Sequence, residues 1–101
     1  MNFKIYVIKP LQAGTTPFIF QAPSDLVAIK TLLLSTVDQK GSKLYDHDLE
    51  LIDTSHSLTS EGNIDSSLFS KPKSLGLFSE FFKKIDEYNI LPPQSEEVTN
   101  G

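Results

Sequence analysis

The stretch Thr16 to Val37, TPFIFQAPSDLVAIKTLLLSTV, constrains this chain more than any other. Pro17 and Pro23 bracket three bulky apolar residues, Phe18, Ile19 and Phe20. Proline cannot donate to a ladder, so the run between them is a short extended segment suited to a sheet edge. Ser24 then stands where a helix N-cap belongs, and Asp25 suits the positive end of the helix dipole. Leu26, Ile29, Leu33 and Val37, widened by Ala28 and Leu32, form a stripe with core-facing spacing, with Lys30, Thr31, Ser35 and Asp38 opposite. Gly41 offers a left-handed position for the chain's exit, with the helix end fraying around Asp38.

The other segments read as elements that need this surface to pack on. Phe3 to Lys9 alternates as a strand, with Phe3, Ile5 and Val7 on one face and Lys4, Tyr6 and Ile8 on the other, wetter one. Leu49 to Asp53 alternates again, and Thr54 to Asn63 is rich in turn residues, with Gly62 as its positive-φ position. Ile64 to Phe69 returns as a strand. Ser74 caps an expected second helix that runs to Asn89, with Leu75, Phe78, Phe82 and Ile85 as its stripe. The fold expected is α+β: a small, mostly antiparallel sheet of three to four strands with two helices packed on one face. Residues 1–90 form this single domain, and 91–101, beginning at Leu91 and continuing PPQSEEVTNG, read as a disordered tail.

Composition removes several function classes. All nine cations of the 101 residues are lysines, so the planar guanidinium fork that reads guanine edges is missing. The net charge is −4, and two of the thirteen acids, Glu96 and Glu97, lie in the tail, which leaves the rest close to neutral. There is no cysteine, hence no disulfide, thiolate metal site or cysteine nucleophile. No apolar run approaches the roughly 18 residues of a membrane span, and MNFKIYVIK is too short and too charged for a signal peptide. The expectation is a soluble intracellular protein.

The order of features resembles the small non-structural protein of gokushoviruses, single-stranded-DNA microviruses of bacteria. The residues that carry the likeness are Pro17-Phe18 ahead of the helix and Asp46 to Ile52 (DHDLELI) followed by Asp53. Glu61-Gly62-Asn63-Ile64 continues it, and Lys71-Pro72-Lys73-Ser74-Leu75-Gly76 leads into Glu80-Phe81. The likeness spans Phe3 to Lys83 and departs at Ile52, where a glycine is expected. It implies an accessory role in viral DNA synthesis or packaging in the cytoplasm of the bacterial host, and brings no catalytic residues or cofactor.

The residues themselves offer four candidates. Lysines that track phosphates, combined with aromatic faces that stack on bases, make single-stranded DNA surfaces. Lys4, Tyr6, Lys9, Lys43, Tyr45, Lys71 and Lys73 supply both ingredients, against the simpler reading that Lys4 and Tyr6 are the wetter face of a half-buried strand. Asp46, His47, Asp48, Asp53 and His56 are ligand-capable but lack metal-site spacing, so no metal is expected. Ser55, His56 and Ser57 lack a nucleophile elbow or oxyanion loop, so no catalytic residues are assigned and no enzyme is expected. Phe81, Phe82 and Tyr88 crowd the second helix and are candidate contacts of a homodimer. The reading is a non-catalytic phage accessory protein that binds single-stranded DNA non-specifically. The alternative is a protein–protein adaptor for a capsid or replication partner with no DNA contact.

Overall fold

The computed structural model describes residues 3–66 and 71–90. The architecture is α+β, an antiparallel sheet with two helices on one face. Strand β1 (Phe3–Pro10) lies between β2 (Phe18–Ala22) and β3 (Leu49–Leu58). The far side of β3 is shared by two short strands. β4 (Ile64–Ser66) pairs with its C-terminal end and β5 (Lys73–Leu77) with its N-terminal end. The helix α1 (Asp25–Thr36) follows β2, and the single-turn-plus helix α2 (Phe78–Phe82) follows β5 directly, with a 3-10 turn at Ile85–Tyr88. No described helix is long and apolar enough to cross a membrane.

The expected role of Ser24 holds: its hydroxyl accepts from the Val27 amide at 3.3 Å. The stripe read for α1 holds apart from Leu26. Ala28, Leu32, Leu33 and Thr36 are buried, whereas Leu26 is 52% exposed and Leu34 is 61% exposed. Leu26, Val27 and Leu34 leave the outer side of the helix partly apolar as well, and Asp25 fixes the buried face further by bonding down to β1. Thr36 is tolerated in the core because its hydroxyl donates to the Leu32 carbonyl at 2.6 Å. The helix stops at Val37, which is extended, and Gly41 takes its positive φ in a separate turn closed by Asp38.

β1 also faces the other way from the expectation. Tyr6 and Ile8 are buried in the core with Ala22, Leu49 and Leu51, so the Lys4-Tyr6-Ile8 face meets the helices. β3 does not end at Asp53. It passes through a bulge in which the single residue Ile5 opposes Thr54 to His56, and continues to Leu58. Side chains make this possible. The Asp53 carboxylate accepts from the Ser55 amide at 2.9 Å, and the Thr54 hydroxyl donates to the Ile5 carbonyl at 2.7 Å. Ser55 takes a positive φ of 68° there. The expected returning strand begins at Ile64 as read, and residues 67–69 of it, like the expected 91–101 tail, lie outside the described residues.

The long second helix is the main correction. Residues Lys73–Leu77 form β5, and only Phe78–Phe82 is α-helical. Ser74 therefore caps nothing; the Glu80 carboxylate takes the Leu77 amide at 2.9 Å and starts the helix three residues later. The spacing of Leu75, Phe78, Phe82 and Ile85 imitates one helical stripe, although it belongs to a strand, a helix and a 3-10 turn. Gly76 enforces the break with φ +135°. A Cβ there would lie 3.1 Å from the Phe81 ring and 3.3 Å from the Glu80 carboxylate. Gly76→Ala is expected to cost about 1–3 kcal/mol in denaturant unfolding, from the backbone conformation and the contact together. Stability equal to the unsubstituted chain would contradict this.

Candidate functional site

Among the described residues, three places gather functional groups or apolar side chains from several elements. The first is a polar cluster where the start of β1 meets the N-terminus of α1. The Lys4 ammonium lies 2.7 Å from the Asp53 carboxylate and 3.0 Å from that of Asp25. The Tyr6 hydroxyl donates to the same Asp25 oxygen at 2.6 Å. The Tyr6 ring stacks on Phe20 at 5.6 Å, and its exposure is 0%. Tyr6 therefore presents no face on which a base can stack, which corrects its assignment to a DNA surface. Lys4 is likewise committed to two carboxylates.

The cluster holds its groups in their folded protonation states. The Asp53 hydrogen bond is the largest of the effects that raise the Lys4 ammonium above its ordinary range, against partial burial. Burial first, then the bond to Asp25, raises the Tyr6 phenol. The Tyr6 hydroxyl and Lys4 together hold the Asp25 carboxyl below the usual range, against partial burial. A second anchored carboxylate is Asp48. Its oxygens accept from the Ser79 hydroxyl at 2.6 Å, the Ser79 amide at 3.0 Å and the Leu49 amide at 2.9 Å. Partial burial disfavours its ionised form, yet these bonds outweigh it and lower the pKa. Asp48 thus serves the N-terminus of α2. Its neighbour His47 sets its ring 5.5 Å from that of Tyr45. Among the described residues no three His, Asp or Glu side chains gather as metal ligands would.

The second place is an open groove of about 290 Å³ between the β1–β2 end of the sheet, the C-terminus of α1 and the loop before β3. Ile8, Phe18 and Leu49 supply apolar lining, and Thr15, Thr16, Ser35 and Thr36 supply neutral polar groups. Tyr45, 45% exposed, and His47 complete it. The turn organised by Asp38 and the bond from the Leu44 amide to the Thr36 carbonyl at 2.9 Å hold this loop against α1. Sequence reasoning singled out Tyr45 and missed the rest, because five separate segments contribute. The signal available was Phe18, a large apolar residue on an edge strand.

The third place is the sheet face on which neither described helix lies. Residues opposed in an antiparallel register share a face. Val7 is opposed by Ile19 of β2 and by Ile52 of β3, so these join Phe3 and Ile5 on that face. Leu58 opposes Phe3 and is itself opposed by Ile64, extending the apolar row. Ile19 is 68% exposed and Ile64 is 69% exposed.

The remaining sequence candidates split between the Lys4 end of β1 and places apart from it. Lys9 is exposed and opposes Glu50 across the β1–β3 pair. Lys43 reaches over the Phe82 ring at 5.9 Å. Lys71 and Lys73 are exposed near Lys4, where Ser55 donates to the Lys71 carbonyl and Lys73 opposes Asp53. Lys4 and Lys9 sit near opposite ends of β1, about 17 Å apart along a strand. Phe81 is buried, edge-on to Tyr88 at 6.4 Å, and so belongs to the core rather than to a dimer contact. Phe82 and Tyr88 are half-buried around the same core, Phe82 against Phe78 at 5.4 Å.

A carboxyl with a depressed folded pKa contributes stability that is complete above its ordinary pKa of about 4 and is lost as pH falls through the folded value. Asp25→Asn is therefore expected to be less stable than the parent chain at pH 7, with a deficit that shrinks as pH falls below about 4. Urea unfolding at several pH values checks this, and a deficit independent of pH would contradict it. No protein-family model matches this chain, and no curated protein or solved structure matches it either. The resemblance to the gokushovirus protein accordingly rests on the residues quoted for it.

Proposed function

We propose that the chain is a non-catalytic interaction module that takes one bulky apolar side chain of a protein partner into the groove formed by Ile8, Phe18, Leu49 and Tyr45. One observation carries this reading: the groove has apolar walls, hydroxyl-bearing residues and no lysine, aspartate or glutamate. A partner side chain gains from such a lining, whereas a phosphate backbone does not. At about 290 Å³ it is sized for a single large side chain rather than for a whole small-molecule ligand. The resemblance noted above supports a viral setting, with a capsid or replication protein as the partner in a bacterial host.

Single-stranded DNA is the second reading, favoured by one feature. The exposed Tyr45 ring lies beside His47 at the groove, and Lys43 is two residues away. A base stacked on Tyr45 with Lys43 on its phosphate would use the loop without Lys4 or Tyr6.

Amide chemical shifts separate these readings. N-acetylphenylalanine amide is expected to move resonances of Thr15, Thr16, Phe18, Ser35, Thr36 and Tyr45 to Leu49, with an effect that persists at high salt. Thr16→Trp, which fills the groove, is expected to abolish it. Oligothymidylate shifts centred on Lys43 and Tyr45 that fade with salt would instead support DNA. A flat response to both probes would remove both readings.

A further inference from the structure

We infer that the sheet face opposite the described helices is a docking surface for a second copy of this chain, packed sheet on sheet about a two-fold axis. An antiparallel sheet with one solvated face normally alternates apolar and polar residues along its strands. β1 does not. Tyr6 and Ile8 point to the core, while Phe3, Ile5 and Val7 occupy the opposite face. Ile19 and Ile52 flank Val7 on either side, and Leu58 and Ile64 continue the row beyond Phe3. A strand apolar on both faces is the pattern of a strand covered on both faces.

Charge and area select the occupant. Strands β1 to β3 carry Gln21, opposite Ile5, and one charged couple on this face, Lys9 directly opposed by Glu50, so this part of the face is neutral. A nucleic acid or an anionic membrane would need unpaired cations there, and the chain as a whole is acidic, at −4. A neutral, apolar, pleated face is complementary to its own copy, which is how two sheets form a sandwich. Eight residues of β1 across four strand positions give a footprint of roughly 27 by 19 Å, on the order of 500 Å² per copy. The pair then buries about 1,000 Å², the lower bound for a specific interface, and so forms a weak dimer. The groove lies toward the helix side of the sheet, on the Ile8 face, and stays open in this arrangement. This inference is independent of what the groove binds.

Sedimentation velocity of the full chain from about 1 to about 300 µM reads it out, since a dimer of this area dissociates in the micromolar range or above. The weight-average mass is expected to rise toward twice the monomer, and to rise further in added salt as the repulsion between two acidic copies is screened. The double variant Ile19→Lys with Ile64→Lys is expected to stay monomeric. Both side chains are mostly exposed in the single chain, so its melting at low concentration should match that of the parent. Leu34→Lys, on the outside of α1, is expected to associate like the parent. A parent chain monomeric at every concentration would overturn the inference. So would association undiminished in the double variant, or association lost only in Leu34→Lys.

Discussion

The bonds from the Tyr6 hydroxyl and the Lys4 ammonium to the Asp25 carboxylate tie the first residue of α1 to β1. A fully buried tyrosine must find a partner for its hydroxyl, because an unpaired one costs a few kcal/mol. Here that partner is supplied by α1, which pins both the position and the rotation of a helix whose outer side is also partly apolar. Lys4 extends the tie to Asp53, and Asp53 in turn supports the bulge that lets β3 run on to Leu58. One polar knot thus sets the helix face, the strand face and the length of the central pair.

The functional readings follow from that knot. With Lys4 and Tyr6 turned inward, the two residues best placed by spacing for a phosphate-and-base surface are consumed by structure. The face opposite the described helices is left with Phe3, Ile5 and Val7, and the groove beside Tyr45 is the concave feature. Both are uncharged in net terms. Of the other candidate lysines, Lys9 lies opposite Glu50 and Lys73 opposite Asp53, while Lys43 sits over the Phe82 ring. These properties suit contacts with proteins better than contacts with a polyanion.

Much of the architecture was legible in the residues. Alternation identified β1 and the start of β3, the flanking prolines marked β2 as short, and Ser24 marked the start of α1. What escaped were choices between equivalent patterns. In β1, Phe3-Ile5-Val7 is the more apolar set, so local hydropathy puts it inside. The winning interaction joins Tyr6 to a carboxylate 19 residues away. In α1 the helical spacing identified the buried stripe, and only Leu26, at the edge of that stripe, lies outside it. The aromatic spacing after Ser74 matches a helical period, yet the backbone at Gly76 rules the helix out until Phe78. The groove was visible only through Tyr45, since its other walls come from segments distant in sequence.

A double-mutant cycle on Tyr6→Phe and Asp25→Asn, followed by denaturant unfolding at neutral pH, tests the central claim most directly. If the hydrogen bond between them orients α1 on the sheet, the two losses are coupled by about 1 kcal/mol or more, as for other bonds to a charged acceptor. Strict additivity of the two substitutions would mean that the helix finds its face without this bond, and would contradict the account.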